Sequence, residues 1–403
     1  MRNAKDALVT VLGRFLSGVF ARFGGLPPVP DDPRSILLIK PCCIGDVLMA
    51  TATIAATKAA FPNATLTVAV GSWSREVLAH NPHVDRLMDA GLVGSGQGTQ
   101  WRAYIKLLRE LRRQRFDLAL VLDRSPQFTV IPWLVGIPVR AGIDSSGRGF
   151  ALQYKAPWPP EQHEVELYLS VLCAIGVQPC QGRMEFCPTS EELEWAKAML
   201  QSKVVLAEKE ATPWAGVRVV VHPGGGANPG RLSPVKRWFP DRYAVIIQRL
   251  LERGAQVVLV GSSADRALNE GIVKQVPPFL EGKTGIMVDL TGATTLGQLG
   301  AVIQCCDLFI GNDAGPLHLA VAVGTPSVAV FGPSDPRRYR PYLERSITIH
   351  KGVPCSPCFV RGGLPFPCTQ PWCMEAVTVE DVWQAVVTLL AGHPEKESRI
   401  EKG

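Results

Sequence analysis

Ile36-Leu37-Leu38-Ile39-Lys40-Pro41-Cys42-Cys43-Ile44-Gly45-Asp46 is the stretch on which the fold turns. An unbroken apolar run closed by a Pro- and Gly-bearing turn reads as a strand buried on both faces, as in a parallel sheet. From about Asp46 to Ala60 the pattern lengthens to that of a helix, so the unit is strand, loop, helix. Working outward, Thr65 to Val70, Phe116 to Leu122 and Pro138 to Gly142 repeat the short apolar run, with a turn at Pro62-Asn63. A second series begins near Val217, with strands at Val217–Val221, Gln256–Val260, Asp307–Ile310 and Ser327–Phe331. These alternate with helices near Asp241–Glu252, Ala264–Val273, Leu296–Cys305 and Pro316–Val323. Such alternation predicts an α/β protein with two Rossmann-like, doubly wound parallel-sheet domains facing a central cleft.

Bulk properties agree. A chain of 403 residues is long for one core, and 46% hydrophobic with 19% charged residues suits a globular protein rather than a disordered one. The expected division is an N-terminal helix and linker over 1–30, one domain over 31–190 and a second over 191–403. A polar helical stretch from Ser190 to Glu210 is expected to connect them. Net charge is +6 with no Lys/Arg block, which excludes a nucleic-acid tract and suits a phosphate-bearing substrate or an anionic membrane surface. Leu8, Leu12, Phe15, Leu16, Val19 and Phe23 recur at helical spacing, interrupted by Arg14 and Arg22. That segment is too short and too charged to span a bilayer, leaving a helix on a membrane surface or one packed on its own protein. No cleavage signal follows it, so a cytoplasmic chain with reduced thiols is expected, peripheral on the inner face of the membrane if the helix binds lipid.

Four groups could carry chemistry. Gly45-Asp46 opens the first helix, where Asp is either a helix N-cap or a base facing the cleft. His222-Pro223-Gly224-Gly225-Gly226 follows an apolar strand and can present backbone N–H groups to phosphate, although its spacing matches neither a P-loop nor a dinucleotide fingerprint. Lys236-Arg237-Trp238 downstream offers either a cation for a diphosphate or a solvated basic face. Asn312-Asp313-Ala314-Gly315-Pro316-Leu317-His318 again joins strand to helix, with Asp313 able to bind sugar hydroxyls and His318 one turn on. Lastly, Cys355, Cys358, Cys368 and Cys373 sit in a Pro/Gly-rich loop and could hold a structural zinc, or remain free thiols or a redox pair.

Taken together these motifs resemble glycosyltransferase family 9, the bacterial heptosyltransferases of lipopolysaccharide inner-core synthesis. The points of similarity are Ile36-Leu37-Leu38-Ile39 with Gly45-Asp46-Val47, Lys236-x-Trp238, Gly261 with Asp265, the Asn312–His318 motif, and Phe331-Gly332-Pro333-Ser334-Asp335-Pro336. The resemblance implies a GT-B fold and inverting, metal-independent transfer from ADP-heptose to a lipid-linked saccharide. By matching position it implies Asp46 as general base and Lys236 with the Gly224–Gly226 amides on the departing diphosphate. It further places Asp265 at the ribose, Thr294 at the adenine and Asp313 at the transferred sugar, with Ala314, Gly315 and His318 beside it. Pro41-Cys42-Cys43 replaces the small polar residues usual in the family, and Asp265 stands where Glu is usual. Two other readings share the architecture: an epimerase-like nucleotide-sugar enzyme, and a non-catalytic nucleotide-binding scaffold.

Overall fold

The computed structural model describes residues 10–18, 26–91, 101–178, 182–202, 214–228, 231–277, 285–358, 368 and 370–391. The chain forms two compact units. The first comprises Met1–Cys187 with Ala227–Leu232 and Arg337–Tyr342; the second comprises Pro188–Gly226, Ser233–Pro336 and Leu343–Gly403.

In the first unit, β1 (Ser35–Ile39), β2 (Thr65–Val70), β3 (Arg86–Asp89), β4 (Leu118–Val121), β5 (Val139–Asp144) and β6 (Tyr154–Pro157) make one six-stranded sheet. Its order is β3-β2-β1-β4-β5-β6, and every pairing is parallel, as in Leu38 opposite Val68 on one side and Leu120 on the other. Ile36 to Ile39 are at most 1% exposed. Burial on both faces, at roughly 1.5–3 kcal/mol for each such side chain, is why this run holds the sheet centre. Helix α1 (Ile44–Ala60) packs beside α2 (Glu164–Ala174).

The second unit repeats the plan. β7 (Arg218–His222), a short antiparallel pair β8 (Ala227–Asn228) and β9 (Arg231–Leu232) assigned to the first unit, β10 (Gln256–Leu259), β11 (Ile286–Asp289), β12 (Leu308–Asn312), β13 (Ser327–Val330) and β14 (Ser346–Ile349) follow in sequence. The parallel order is β11-β10-β7-β12-β13-β14. Helix Ser190–Ser202 belongs to this unit, where it packs beside helix Leu296–Gln304 and Leu200 O accepts from Gln256 Nε2 at 3.1 Å. The rest of that expected connector lies outside the described residues.

In both sheets the strand order reverses between the two central strands, β1 and β4 or β7 and β12. Doubly wound sheets hold ligands beyond the carboxyl ends of the strands at such switch points. The Lys40–Asp46 loop leaves β1, while the His222–Gly226 and Asp313–Gly315 loops leave β7 and β12.

Helical residues 10–18 rest on the first unit through a close backbone approach: a Cβ on Gly13 would lie 2.6 Å from Gly147 O. Lys155 Nζ donates to Ser17 Oγ at 3.2 Å on the same side. Val11, Leu12 and Phe15 are 66%, 53% and 68% exposed, so this part of the apolar stripe faces away from the protein. The described residues include no helix long and apolar enough to cross a membrane.

Candidate active site

The first cluster surrounds Asp46. The chain enters α1 through Cys43, whose φ of 67° puts it in the left-handed region at the N-cap. Asp46 is therefore the third residue of the helix, and the N-cap alternative for it is set aside. Its side chain is 30% exposed and lies 3.8 Å from Lys40 Nζ. Burial opposes charge on Lys40, yet the Asp46, Asp123 and Glu164 carboxylates outweigh it and raise the ammonium above its ordinary range. Arg124 follows β4, and its guanidinium sits 3.4 Å from Glu164 Oε1 and 4.7 Å over the Trp158 ring. Arg338, from the 337–342 segment, also pairs with Glu164 Oε1. Burial would push the Glu164 carboxyl up; Arg124, Arg338 and Lys40 together hold it below the usual carboxylate range. Sequence reasoning passed over Glu164. The signal was there: a Glu opening the largely apolar Glu164–Ala174 helix must find cations if that end is buried.

The second unit builds a different cluster. Asn312, 0% exposed, donates from Nδ2 to Pro223 O and Gly224 O, both at 2.9 Å. Arg237 Nε donates to Gly225 O at 2.9 Å, and Ser233 N to Gly226 O at 2.8 Å. Four successive carbonyls are thus bonded inward, and a trans peptide points its N–H opposite to its C=O. With these carbonyls engaged, the N–H groups of Gly224, Gly225 and Gly226 make a candidate nest for an anion. Two of these glycines are required by space: Gly225 has φ 107° with Ala314 Cβ 2.7 Å from its ideal Cβ position, and Gly226 has φ 74° with Ser233 O at 2.3 Å. Asn312 also accepts from Trp238 N and Tyr243 OH, each at 3.0 Å. Neither Asn312 nor Arg237 had been singled out as a ligand-site residue, because their work is done on the backbone.

Beside the nest, Lys236 Nζ donates to Asp313 Oδ2 at 2.6 Å, and His318 Nε2 stands 3.8 Å from Asp313 Oδ1. Burial disfavours the Asp313 charge, but Lys236 and His318 hold the carboxyl well below its ordinary value. Lys236-Arg237-Trp238 is accordingly no solvated basic face; Trp238 is 1% exposed. Ala314 is the N-cap of the Gly315–Ala322 helix. Asp265, 5% exposed, accepts from Ser262 N at 3.0 Å, Ser262 Oγ at 2.7 Å and Arg237 at 3.2 Å, and lies against Gly224. Thr294, half-buried, precedes Thr295, which caps helix Leu296–Gln304; Arg266 donates to Thr291 O at 3.2 Å and so ties that turn to the Asp265 turn. His222, 3% exposed, is pushed down to about 4 by burial, which keeps it neutral at pH 7.

Of the readings open for the four-cysteine loop, zinc finds no support. Among the described residues no group of three or more His, Cys, Asp or Glu is arranged to hold a metal ion, so zinc at Cys355, Cys358, Cys368 and Cys373 is not supported. Cys373 is drawn into the core beside Met374 at 3% exposure, while Cys355 is exposed. Burial pushes the Cys373 thiol up to about 11.

Residues 104–364 match the profile described as Glycosyltransferase family 9 (heptosyltransferase). The chain belongs to that family. It is a glycosyltransferase of the heptosyltransferase type with the GT-B fold. It is 30% identical over 321 residues to lipopolysaccharide heptosyltransferase 2 of Escherichia coli, covering 78% of this chain and 87% of that one. To lipooligosaccharide heptosyltransferase 2 of Haemophilus influenzae it is 28% identical over 320 residues, covering 78% and 88%. Among solved structures, the family 9 glycosyltransferase of Veillonella parvula superposes with a TM-score of 0.72 at 20% identity, covering 91% of this chain and 100% of that one.

Proposed function

We propose that this heptosyltransferase moves a heptosyl group from ADP-heptose onto a lipopolysaccharide core saccharide, with inversion and without a divalent metal. The observation that carries the reading is the inward bonding of the Pro223–Gly226 carbonyls, which leaves an anion-binding N–H array next to the Lys236–Asp313 pair. Asp46 takes the proton from the acceptor hydroxyl. The oxygen then bonds to the anomeric carbon, and the bond from that carbon to the diphosphate breaks with its electron pair. ADP departs into the field of Lys236 and the Gly224–Gly226 amides, which meet its charge as a metal otherwise would. A single displacement inverts the anomeric centre, by analogy with inverting hydrolases. Asp313, Ala314, Gly315 and His318 hold the sugar, and Thr294 lies toward the adenine. Asp265, already accepting three hydrogen bonds, would receive ribose only by sharing Oδ1 with Arg237.

The exposed Val11, Leu12 and Phe15 face supports a peripheral placement on an anionic bilayer, where a lipid-linked acceptor resides. Replacing all three by Ser should release the protein from phosphatidylglycerol vesicles while leaving its melting temperature within a degree or two. Retained binding would refute that placement.

Titration calorimetry with ADP, UDP and GDP in EDTA, followed by a transfer assay in EDTA, tests the rest. ADP should bind most tightly and transfer should survive chelation. Preference for UDP or GDP would remove heptose as the sugar, and binding of none would sink the reading. Release of free sugar from the donor without acceptor would mark the epimerase-like alternative.

A further inference from the structure

The Trp101–Gln114 helix of the first unit carries five cations, Arg102, Lys106, Arg109, Arg112 and Arg113, against the single carboxylate of Glu110. Tyr104, Leu107 and Leu111 are buried and join Leu37, Ile39, Val121, Phe128 and Ile131 in one core layer. At 3.6 residues per turn, Arg102, Lys106, Arg109 and Arg113 fall on the opposite stripe, one above the next at spacings of four, three and four. Spaced in this way they form no block in the sequence. All four are exposed, and Ile105 is exposed on their flank. The stripe does nothing for the helix itself. Like charges three and four residues apart repel, and Arg102 meets the positive end of the macrodipole with no acid in the first turn to offset it. Only Arg112 and Arg113, in the last turn, sit where the dipole favours a cation. Glu110 reaches Lys106 at 3.8 Å, but with those side chains 40% and 77% exposed the pair contributes little.

A chain of contacts joins this helix to helical residues 10–18. Tyr104 OH donates to Gln127 O at 2.8 Å, Thr129 Oγ1 donates to Arg148 O at 2.6 Å, and Gly147, next to Arg148, is the residue on which Gly13 closes. Between them the Ile131–Leu134 segment buries Ile131 in the same core layer and leaves Trp133 and Leu134 exposed. We propose that the stripe of Arg102, Lys106, Arg109 and Arg113 is a docking face for the anionic phospholipid headgroups of a bilayer, acting together with the exposed apolar face of residues 10–18. The inference rests on the peripheral placement proposed above and adds an electrostatic contact to it. The charges are complementary: a row of separate cations gains from the negative surface potential of an anionic leaflet without needing a shaped pocket. Trp133 adds an amphipathic ring of the kind that favours the membrane–water interface. Partition grows with buried apolar area and with attraction to anionic lipid together, so neither contact suffices alone. Two separate contacts also fix the rotation of the first unit on the membrane, which one short helix would leave free.

Co-sedimentation of the full chain with phosphatidylcholine vesicles, with and without phosphatidylglycerol, tests the proposal at low and high salt. Wild type should bind the anionic vesicles and be released as salt shortens the Debye length. The variant combining Arg102→Gln, Lys106→Gln, Arg109→Gln and Arg113→Gln should partition about a hundredfold more weakly and lose most of the salt dependence. Its melting temperature should hold or rise, since repulsion has been removed, and its ADP affinity should stay within about twofold. Changing Arg102, Arg109 and Arg113 to Lys should keep the binding, because a headgroup layer reads charge and not the guanidinium fork. Loss of binding in the Lys variant would overturn the proposal, as would tighter binding to a nucleic-acid duplex than to the vesicles. A control losing the same charge at exposed positions elsewhere, Arg75→Gln, Arg86→Gln, Lys274→Gln and Arg345→Gln, should bind as wild type does. An equal fall in that control would reduce the effect to net charge and overturn the face. Wild type that ignores anionic vesicles defeats the peripheral placement itself, whereas wild-type binding fully retained by the stripe variant overturns only the docking face.

Discussion

The two clusters treat a carboxylate beside a cation in opposite ways. In the second unit Asp313 is 8% exposed and closed onto Lys236 at 2.6 Å; in the first, Asp46 is 30% exposed and stands 3.8 Å from Lys40, while the buried guanidiniums go to Glu164. A carboxylate that must bind a ligand gains from being ionised and immobile in advance. One that must accept a proton during the reaction has to keep a lone pair accessible and a basicity worth using. Under the proposed roles, proximity to a cation is no measure of function; the distance and the competing partners decide it.

The comparison breaks first at Asp46. Asp46→Ala should reduce transfer by about a thousandfold, in the usual range for a general base, with ADP affinity unchanged in calorimetry. Equal loss of ADP binding would mean that Asp46 serves the donor side after all. Lys236→Ala should act on both binding and turnover, weakening ADP affinity and kcat/KM by about a hundredfold. It also leaves Asp313 buried without its ion-pair partner, costing about 2 kcal/mol in denaturant unfolding. Gly225→Ala should sharpen the picture of the nest: a Cβ at φ 107°, 2.7 Å from that of Ala314, displaces the loop and should weaken ADP binding about tenfold with little change in acceptor KM.

The last effect concerns pH and touches stability alone. His222 is depressed to about 4 in the folded state against about 6.5 unfolded, so the unfolded chain binds the extra proton between those values. The stabilisation is complete above pH 6.5 and is lost as pH falls toward 4, on the order of 3 kcal/mol. Melting temperatures across that window should decline less steeply in His222→Asn. Asp313, depressed much further, contributes stability that survives until pH falls below the ordinary carboxylate value, so the two can be separated by where the slope appears.

How much of this was legible in the sequence follows from position in the sheet. The central strands β1, β4, β7 and β12 were all readable, since a strand covered on both faces must be continuously apolar. Besides the two-residue strands β8 and β9, the strands that went unread, β3, β6, β11 and β14, are the edges of the two six-stranded sheets. Each buries one residue of four, and runs such as Arg86-Leu87-Met88-Asp89 or Tyr154-Lys155-Ala156-Pro157 look like loop. The site divides similarly. Asp46, Lys236 and Asp313 lie in motifs local enough to recognise, whereas the bond from Arg338 to Glu164 spans 174 positions and leaves no local trace. For the cysteine loop the spacing left zinc, a redox pair and free thiols open, because it says nothing about which thiols the core will bury.

Asn312 has a consequence for how this enzyme can diversify. Its one amide engages Pro223, Gly224, Trp238 and Tyr243, so three stretches of chain move as one part. Substitutions in any of them will be epistatic with the others, and a lineage acquiring a new donor cannot tune these loops one at a time. Innovation is steered to positions outside that knot, such as the turn carrying Thr294, where a change can be tried without loosening everything else.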